Sequence, residues 1–165
     1  MAEIVKLVSD DWKELRDLRI KATKEVPLAF GRTSAEETEK TEEQWRKQLA
    51  ESRYYALKEE GTLIGMLCVA LEKGSMQSHV ANIFGVYVGP GARGKGLGRR
   101  LMEAAINDLK EDSHVMKVKL KVAETQKEAQ ALYEGMGFKK VGVFEKEGNF
   151  NGRYVDILVM EKFLR

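Results

Sequence analysis

The residues with the clearest chemical potential lie in VYVGPGARGKGLGRRLMEAA, from Val86 to Ala105. A β-branched run stops at Gly89-Pro90, passes through Gly94, Gly96 and Gly98, and becomes an apolar pattern at helical spacing. Glycines let backbone approach a ligand closely and turn N–H groups inward, and a helix N-terminus behind them adds partial positive charge. With Arg93, Lys95, Arg99 and Arg100 on the same turn, the segment is suited to hold an anion. Two familiar phosphate loops are excluded by residue identity. Gly96 follows Lys95 where a P-loop needs a hydroxyl for magnesium. Arg99 occupies the third glycine position of GxGxxG, and no acidic ribose partner is evident downstream. The pattern implies a phosphate ester held by backbone amides and basic side chains, with no metal.

The elements that must position this turn follow from periodicity. EIVKLVS alternates as a strand, and Asp10 or Asp11 can cap a helix placing Trp12, Leu15, Leu18 and Ala22 on one face. VPLAFGRTS reads as a loop, and Thr41 with Gln44 as a capping box for a helix through about Leu49. YYALKEEGTLIGMLCVAL reads as two strands turning at Glu60-Gly61, and HVANIFGVYV as a central strand covered on both faces. Leu97, Leu101, Ala104, Ala105 and Leu109 mark a helix ending near Glu111. MKVKLKV follows as a strand, then a helix capped by Thr125 and Glu128 that runs to Gly135. Two strands close the chain around GNFNG. The order β-α-α-β-β-β-α-β-α-β-β predicts an α/β fold, a mixed sheet of about seven strands flanked by about four helices. The two late strand-helix units should make right-handed parallel crossovers.

The 165 residues, with two prolines and no Ser- or Gly-rich linker, read as a single domain over residues 1–165. A net charge of +2 gives no case for nucleic acid or a membrane surface as a partner. Lys117, Lys119 and Lys121 line one strand face without interleaved aromatics, as a solvated face does. The single Cys68 fits a reducing compartment and reads as a buried thiol, and with two separated histidines it makes a zinc site improbable. MAEIVKLVSDD has no apolar signal core, and no segment has the roughly 18 apolar residues of a membrane span, so a cytoplasmic protein is expected.

RGKGLG, positions 93 to 98, resembles the Q/R-x-x-G-x-G/A signature of the GNAT superfamily of acyl-CoA-dependent N-acyltransferases. LKVAETQKEAQALYEGMGF, positions 120 to 138, is similar to that family's L-x-V-x-x-x-N-x-x-A-x-x-L-Y-x-x-x-G-F segment. The resemblance implies that the anion is the pyrophosphate of coenzyme A, and that the central strand splays from its parallel neighbour after about Ile83. It further implies that the N–H of Val86 faces the thioester carbonyl. Tyr87 belongs to the same cofactor-binding stretch, and Val88 pairs with pantetheine amides. Gly94, Lys95, Gly96, Leu97, Gly98 and Arg99, with Arg93, hold the pyrophosphate. Tyr133 matches the tyrosine that assists the departing thiolate, and Gln126 stands where the family usually has asparagine.

Asn82 stands where some members carry a glutamate base, and an amide cannot accept a proton. Water, His79, Glu72, Asp156 or bulk solvent remain open as routes for the amine's proton. The same analogy directs the acceptor to PLAFGRTSAEE and the last hairpin. There Phe30 and Tyr154 are the candidate substrate-binding residues, and Glu36 or Glu37 either attract a cationic amine or form a solvated helix approach. Tyr154 shares a strand face with Asp156. The leading expectation is transfer of the acetyl group of acetyl-CoA to a primary amine, a small amine or amino acid rather than a protein N-terminus. The alternative is a non-catalytic acyl-CoA-binding regulatory module. The last hairpin offers a pairing surface for a homodimer, which no sequence feature decides.

Overall fold

The computed structural model describes residues 1–165. Seven strands form one sheet in the order β1-β2-β3-β4-β5-β7-β6. They are β1 (Glu3–Lys6), β2 (Arg53–Glu59), β3 (Thr62–Leu71), β4 (Val80–Val88), β5 (Lys117–Ala123), β6 (Lys139–Phe150) and β7 (Arg153–Phe163). Every neighbour pair is antiparallel except β4–β5. The helices are α1 (Trp12–Glu25), α2 (Pro27–Phe30), α3 (Ser34–Glu39), α4 (Glu42–Glu51), α5 (Leu97–Glu111) and α6 (Lys127–Gly135). No helix is long and apolar enough to cross a membrane.

The expected seven strands are present, but six helices replace the expected four. The difference lies in VPLAFGRTS and the residues after it, read above as a loop. Pro27 begins α2, where its missing N–H is harmless, and Gly31 ends it with φ of 61°. Thr33 and Glu36 then form a reciprocal capping box that starts α3. Two other caps differ from expectation. The Asp11 carboxylate accepts from the Val8 N–H at 2.7 Å within a 3-10 turn, and α6 starts at Gln126 with no side-chain cap. Thr41 and Gln44 do cap α4 as their spacing requires.

The two sheet faces carry separate cores. Leu101, Met102, Ala105, Ile106 and Leu109 form the buried stripe of α5 and pack with Ala81, Ile83, Val118, Leu120 and Val122. On the other face Leu15, Leu18 and Ala22 of α1 join Trp45 and Leu49 of α4 against Tyr54, Met66 and Tyr87. Each fully buried Leu, Val or Met removes apolar surface worth roughly 1.5–3 kcal/mol, so the helices are held mainly by these stripes. Cys68 is buried in the second core, where burial raises its thiol pKa.

A charged group is also buried on the α1 side. Glu37 is wholly inaccessible and accepts from Arg19 Nε at 3.1 Å and Arg19 Nη2 at 3.2 Å. Lys40 adds a third contact at 3.4 Å. This corrects both readings of Glu37, which is neither solvated nor free for a substrate. Burial pushes the Glu37 carboxyl upward, but Arg19 and Lys40 outweigh it and hold the group below its ordinary 4.5. Folding therefore favours the ionised form, so this stabilisation is present above the ordinary value and is lost as pH falls through the folded-state value. Glu37→Ala should cost about 3–5 kcal/mol at neutral pH, because Arg19 would be left buried without its partner. In urea titrations the gap between variant and parent should narrow as acid protonates Glu37. A gap of undiminished size in acid would show that packing, not the ion pair, sets it.

Candidate functional site

The site begins where two strands part. Parallel pairing of β4 with β5 runs from Val80↔Lys117 to Ile83↔Leu120 and stops. β4 continues to Val88, while β5 stays paired with β7 to Ala123. Against β3, Met66 faces Tyr87 and Cys68 faces Phe84, so β4 holds one extra residue at Gly85–Val86. Gly85 takes φ of 57°, which permits this bulge, and a Cβ there would lie 2.9 Å from the Phe30 ring. The bulge flips the strand's faces: Ile83 belongs to the α5-side core, and beyond the bulge Val86 and Val88 pack on that same core. Gly89 N–H donates to Ile64 at 2.8 Å while Val88 faces Gly65. By the alternation of an antiparallel ladder, Val88 then presents its own N–H and C=O away from β3, toward the gap.

The glycine turn sits at the top of this gap. Gly94 and Gly96 have φ of 77° and 74°, so both are needed for backbone conformation rather than for lack of space. Gly98 is different, lying within the first turn of α5 between Val88 and Leu132, with only ordinary contacts for an added Cβ. The first turn of α5, from Leu97, leaves backbone N–H groups without helical partners. Of the four cations on the turn, two are engaged. Arg93 donates to the Val88 carbonyl at 2.8 Å and pairs with Glu25. Arg100 reaches the Ala2 carbonyl. Lys95 is exposed, and Arg99 lies over Gly135 with a loose contact to Glu103 at 3.9 Å. Glu25 also accepts from the buried Tyr87 hydroxyl at 2.7 Å. Burial and this carboxylate push the Tyr87 pKa up to about 12.

Tyr133 is buried in the α5-side core, its ring 6.1 Å from that of Phe138 and in one cluster with Val86, Val88 and Leu97. Burial raises its pKa to about 12, so at neutral pH it holds its proton. The Gln126 amide oxygen accepts from the Ala123 N–H at 3.2 Å, at the open end of β5.

The candidate bases are placed elsewhere or engaged. His79 precedes β4 by one residue and lies six residues from Gly85, about 20 Å along an extended strand. Glu72 is bound by Lys119 at 2.7 Å and by Asn82 Nδ2 at 3.0 Å, and these bonds lower its pKa. Asp156 accepts from the Lys146 N–H at 2.9 Å, fixing the bulge where Lys146 has φ of 52°. No group of three or more His, Cys, Asp or Glu side chains is gathered closely enough to hold a metal ion.

Across the sheet from α5, the gap opens into a cavity of about 630 Å³. α2 roofs it, Ile83–Gly85 and Lys121–Ala123 form its floor, and the hairpin residues Glu147–Asn151 close its side. Phe30 lines it. Tyr154 does not. It is exposed and pairs with Asn149 across the hairpin, its side chain on the opposite face from buried Val155, and Phe150 takes the wall position instead. Glu36 reaches the rim but caps its own helix, accepting from the Thr33 N–H at 2.7 Å. Sequence reasoning missed Arg19, Arg32 and Lys121 as wall residues. Lys121, read as a solvated lysine, stacks 5.1 Å over the Phe144 ring. Lys117 and Lys119 are ion-paired with Glu161 and Glu72.

Comparison with known proteins gives the same architecture. The acetyltransferase of the GNAT family from Streptococcus pneumoniae aligns with a TM-score of 0.87 at 19% identity over 99% of each chain. The ribosomal-protein-alanine N-acetyltransferase of Brucella melitensis gives 0.83 at 23% identity, over 98% of this chain and 99% of that one. A GNAT superfamily phosphinothricin acetyltransferase from Sinorhizobium meliloti, solved in complex with AcCoA, gives 0.80 at 18%, over 98% and 88%. The uncharacterized protein YdzO of Bacillus subtilis (strain 168) is 46% identical over 35 residues, 21% of this chain, and the chain spans 57% of that protein's length. The family model "Acetyltransferase (GNAT) family" matches residues 12–138, more than half of the sequence, and the chain belongs to that acetyltransferase family.

Proposed function

We propose that the protein transfers the acetyl group of acetyl-CoA to the primary amine of a small molecule or amino acid, by direct attack in a ternary complex. The observation that carries this reading is the continuity of three features: a glycine turn at a helix N-terminus, a strand gap below it, and a cavity on the far side. Acetyl-CoA supplies an activated thioester. Gly94, Gly96, Gly98 and the N–H groups through Arg99 hold its pyrophosphate, with Lys95 and the loosely paired Arg99 as the cations at hand. Val88 pairs with the pantetheine arm beside Tyr87, and Gln126 closes the other edge. Arg93 acts on the turn itself, bracing it against Glu25 and the Val88 carbonyl.

The Val86 N–H serves the thioester oxygen, where charge develops during attack, and a preorganised donor favours that state over the ground state. Tyr133 donates to the departing sulfur. Asn82 donates to Glu72, lies outside the cavity lining and takes no proton. The amine loses its proton to water in the open cavity, because His79, Glu72 and Asp156 are distant or engaged. A cavity of this size suits a small acceptor better than a folded protein surface.

The alternative, a module that binds acyl-CoA without turnover, is favoured by one observation, the engagement of Glu72 and Asp156 by other groups. Thiol release from acetyl-CoA with polyamines, aminoglycosides, amino acids and short peptides separates the two. Release with one amine class is expected. Calorimetric binding of acetyl-CoA with no release across the panel would favour the module.

Three further outcomes follow from the site. Tyr133→Phe should lower kcat about tenfold with an unchanged KM for acetyl-CoA, since a thiolate leaves fairly well unaided. Full activity of this variant at every pH would remove the assignment. Log kcat/KM for the amine should climb with a slope near one from about pH 7 to 9, as the neutral amine fraction grows. No alkaline fall should appear there, because Tyr133 stays protonated below about 12. Gly96→Ala should weaken acetyl-CoA binding about tenfold, the left-handed conformation costing roughly 1–2 kcal/mol for a residue with a Cβ. Equal affinity in calorimetry would show that this turn does not carry the cofactor.

A further inference from the structure

The charge of the cavity wall specifies the acceptor further than its size does. Three cations, Arg19, Arg32 and Lys121, line it against two carboxylates, Glu36 and Glu147. Glu36 is occupied by the Thr33 N–H and hydroxyl. Behind the wall, Arg19, Lys40 and Arg32 surround the single carboxylate of Glu37, with Arg32 at 4.0 Å. Three positive charges thus share one buried negative charge. The crowding is felt by Lys40, whose pKa is lowered by burial, with Arg19 and Arg32 adding to the effect against the pull of Glu37.

Arg19 is 7% exposed, and its guanidinium is used on one edge only. Nε and Nη2 go to Glu37, while Nη1 has no protein partner. Nη1 lies at the strand bulge, 3.3 Å from where a Cβ of Gly85 would stand, and the guanidinium rests 4.9 Å over the Phe30 ring. Glu37 and Phe30 therefore fix a buried, half-used guanidinium at the gap through which the thioester must present its acetyl group. No residue of the glycine turn lines this cavity, so these cations are separate from the pyrophosphate site. The rest of the wall mixes apolar residues, among them Leu28, Phe150 and Ile157, with the polar Thr33, Asn149 and Asn151.

Resting on the acetyltransferase reading above, we propose that the acceptor is an amine carrying an anionic group close to its nitrogen, of the α-amino acid class. Arg19 Nη1 receives the carboxylate at the bulge, and Arg32 and Lys121 supply the attracting field from the rim. The ammonium first gives one proton to water, the neutral nitrogen attacks the acetyl carbonyl carbon, and the carbon–sulfur bond breaks. The sulfur takes a proton from Tyr133, which is replaced by the second proton that the acylated nitrogen sheds. The pocket would then reject the same molecule with its carboxylate neutralised, since the Nη1 edge of the Arg19 guanidinium would lose its acceptor on displacing water.

The test measures thiol release from acetyl-CoA with leucine and phenylalanine, each beside its amide and its decarboxylated amine, with spermidine and a short peptide as further acceptors. The amino acids should exceed their amides and amines in kcat/KM by at least about tenfold, even though the amides are less protonated at neutral pH. Arg32→Gln and Lys121→Gln, both at exposed positions that spare the Arg19–Glu37 pair, should each shrink that preference while leaving the KM for acetyl-CoA unchanged. Equal or faster turnover of the amides, amines, spermidine or peptide would overturn the anionic-acceptor assignment and leave the transferase standing. An unchanged preference in both variants would overturn the role of the rim. Thiol release from none of these acceptors, with acetyl-CoA bound, would overturn the assignment together with the transferase reading on which it rests.

Discussion

One extra residue in β4 organises this molecule. Had β4 kept its register with β3 past Phe84, nothing in the ladder would have stopped β5 from pairing along its whole length. The bulge at Gly85–Val86 changes the strand's direction, and pairing with β5 ends at Ile83. Backbone groups that a sheet normally satisfies internally are thereby left to face a gap. Unpaired backbone inside a protein is costly unless water or a ligand meets it. The fold accepts that cost at one place, and α2 packs across the opening instead of a strand.

The bulge has its own requirement, which is a residue without a side chain at a left-handed φ. Phe30 and Arg19 fill the space where a Cβ of Gly85 would go. Arg19 can remain there because Glu37 neutralises it, and Glu37 can remain fully buried because α3 brings it there with Lys40 close by. The short helices α2 and α3 are thus part of the site's construction. Neither is long enough to be stable alone. They persist because one places an aromatic ring against the bulge and the other places a carboxylate against its guanidinium.

This explains what could be read beforehand. β4, the glycine turn and α5 announce themselves through local pattern: a two-sided apolar strand, glycines at alternate positions, then an apolar stripe at helical spacing. The splay after Ile83 likewise follows from the resemblance carried by RGKGLG and the segment around Tyr133. The cavity's charge was not. Arg19 and Glu37 are eighteen residues apart, and neither has a local signal distinguishing it from an ordinary surface residue of a charged helix. Glu37 looked like bait for a cation when its charge was already spoken for. The family analogy directs the acceptor to the last hairpin and so to Tyr154. An analogy at the level of a hairpin does not fix which strand face meets the cavity, and the face that Tyr154 shares with Asp156 is turned from it. PLAFGRTSAEE reads as a loop because its helices are one turn or little more, too brief to show a periodicity.

The two halves of the site are held in register by one helix. α1 carries Arg19 on the cavity side and Glu25 on the glycine-turn side, six residues or about 9 Å apart along its axis. Glu25 grips both Tyr87, the first residue beyond the bulge pair, and Arg93, the first residue of the turn motif. Burial works against the Glu25 carboxylate, yet these two partners hold its pKa below the ordinary value, so the grip is ionic at neutral pH. A rigid helix therefore sets the distance between the group that braces the glycine turn and the guanidinium that faces the cavity. In a transfer reaction that distance matters more than the strength of either contact. Misplacing one substrate by about an ångström relative to the other can remove much of the advantage of holding both.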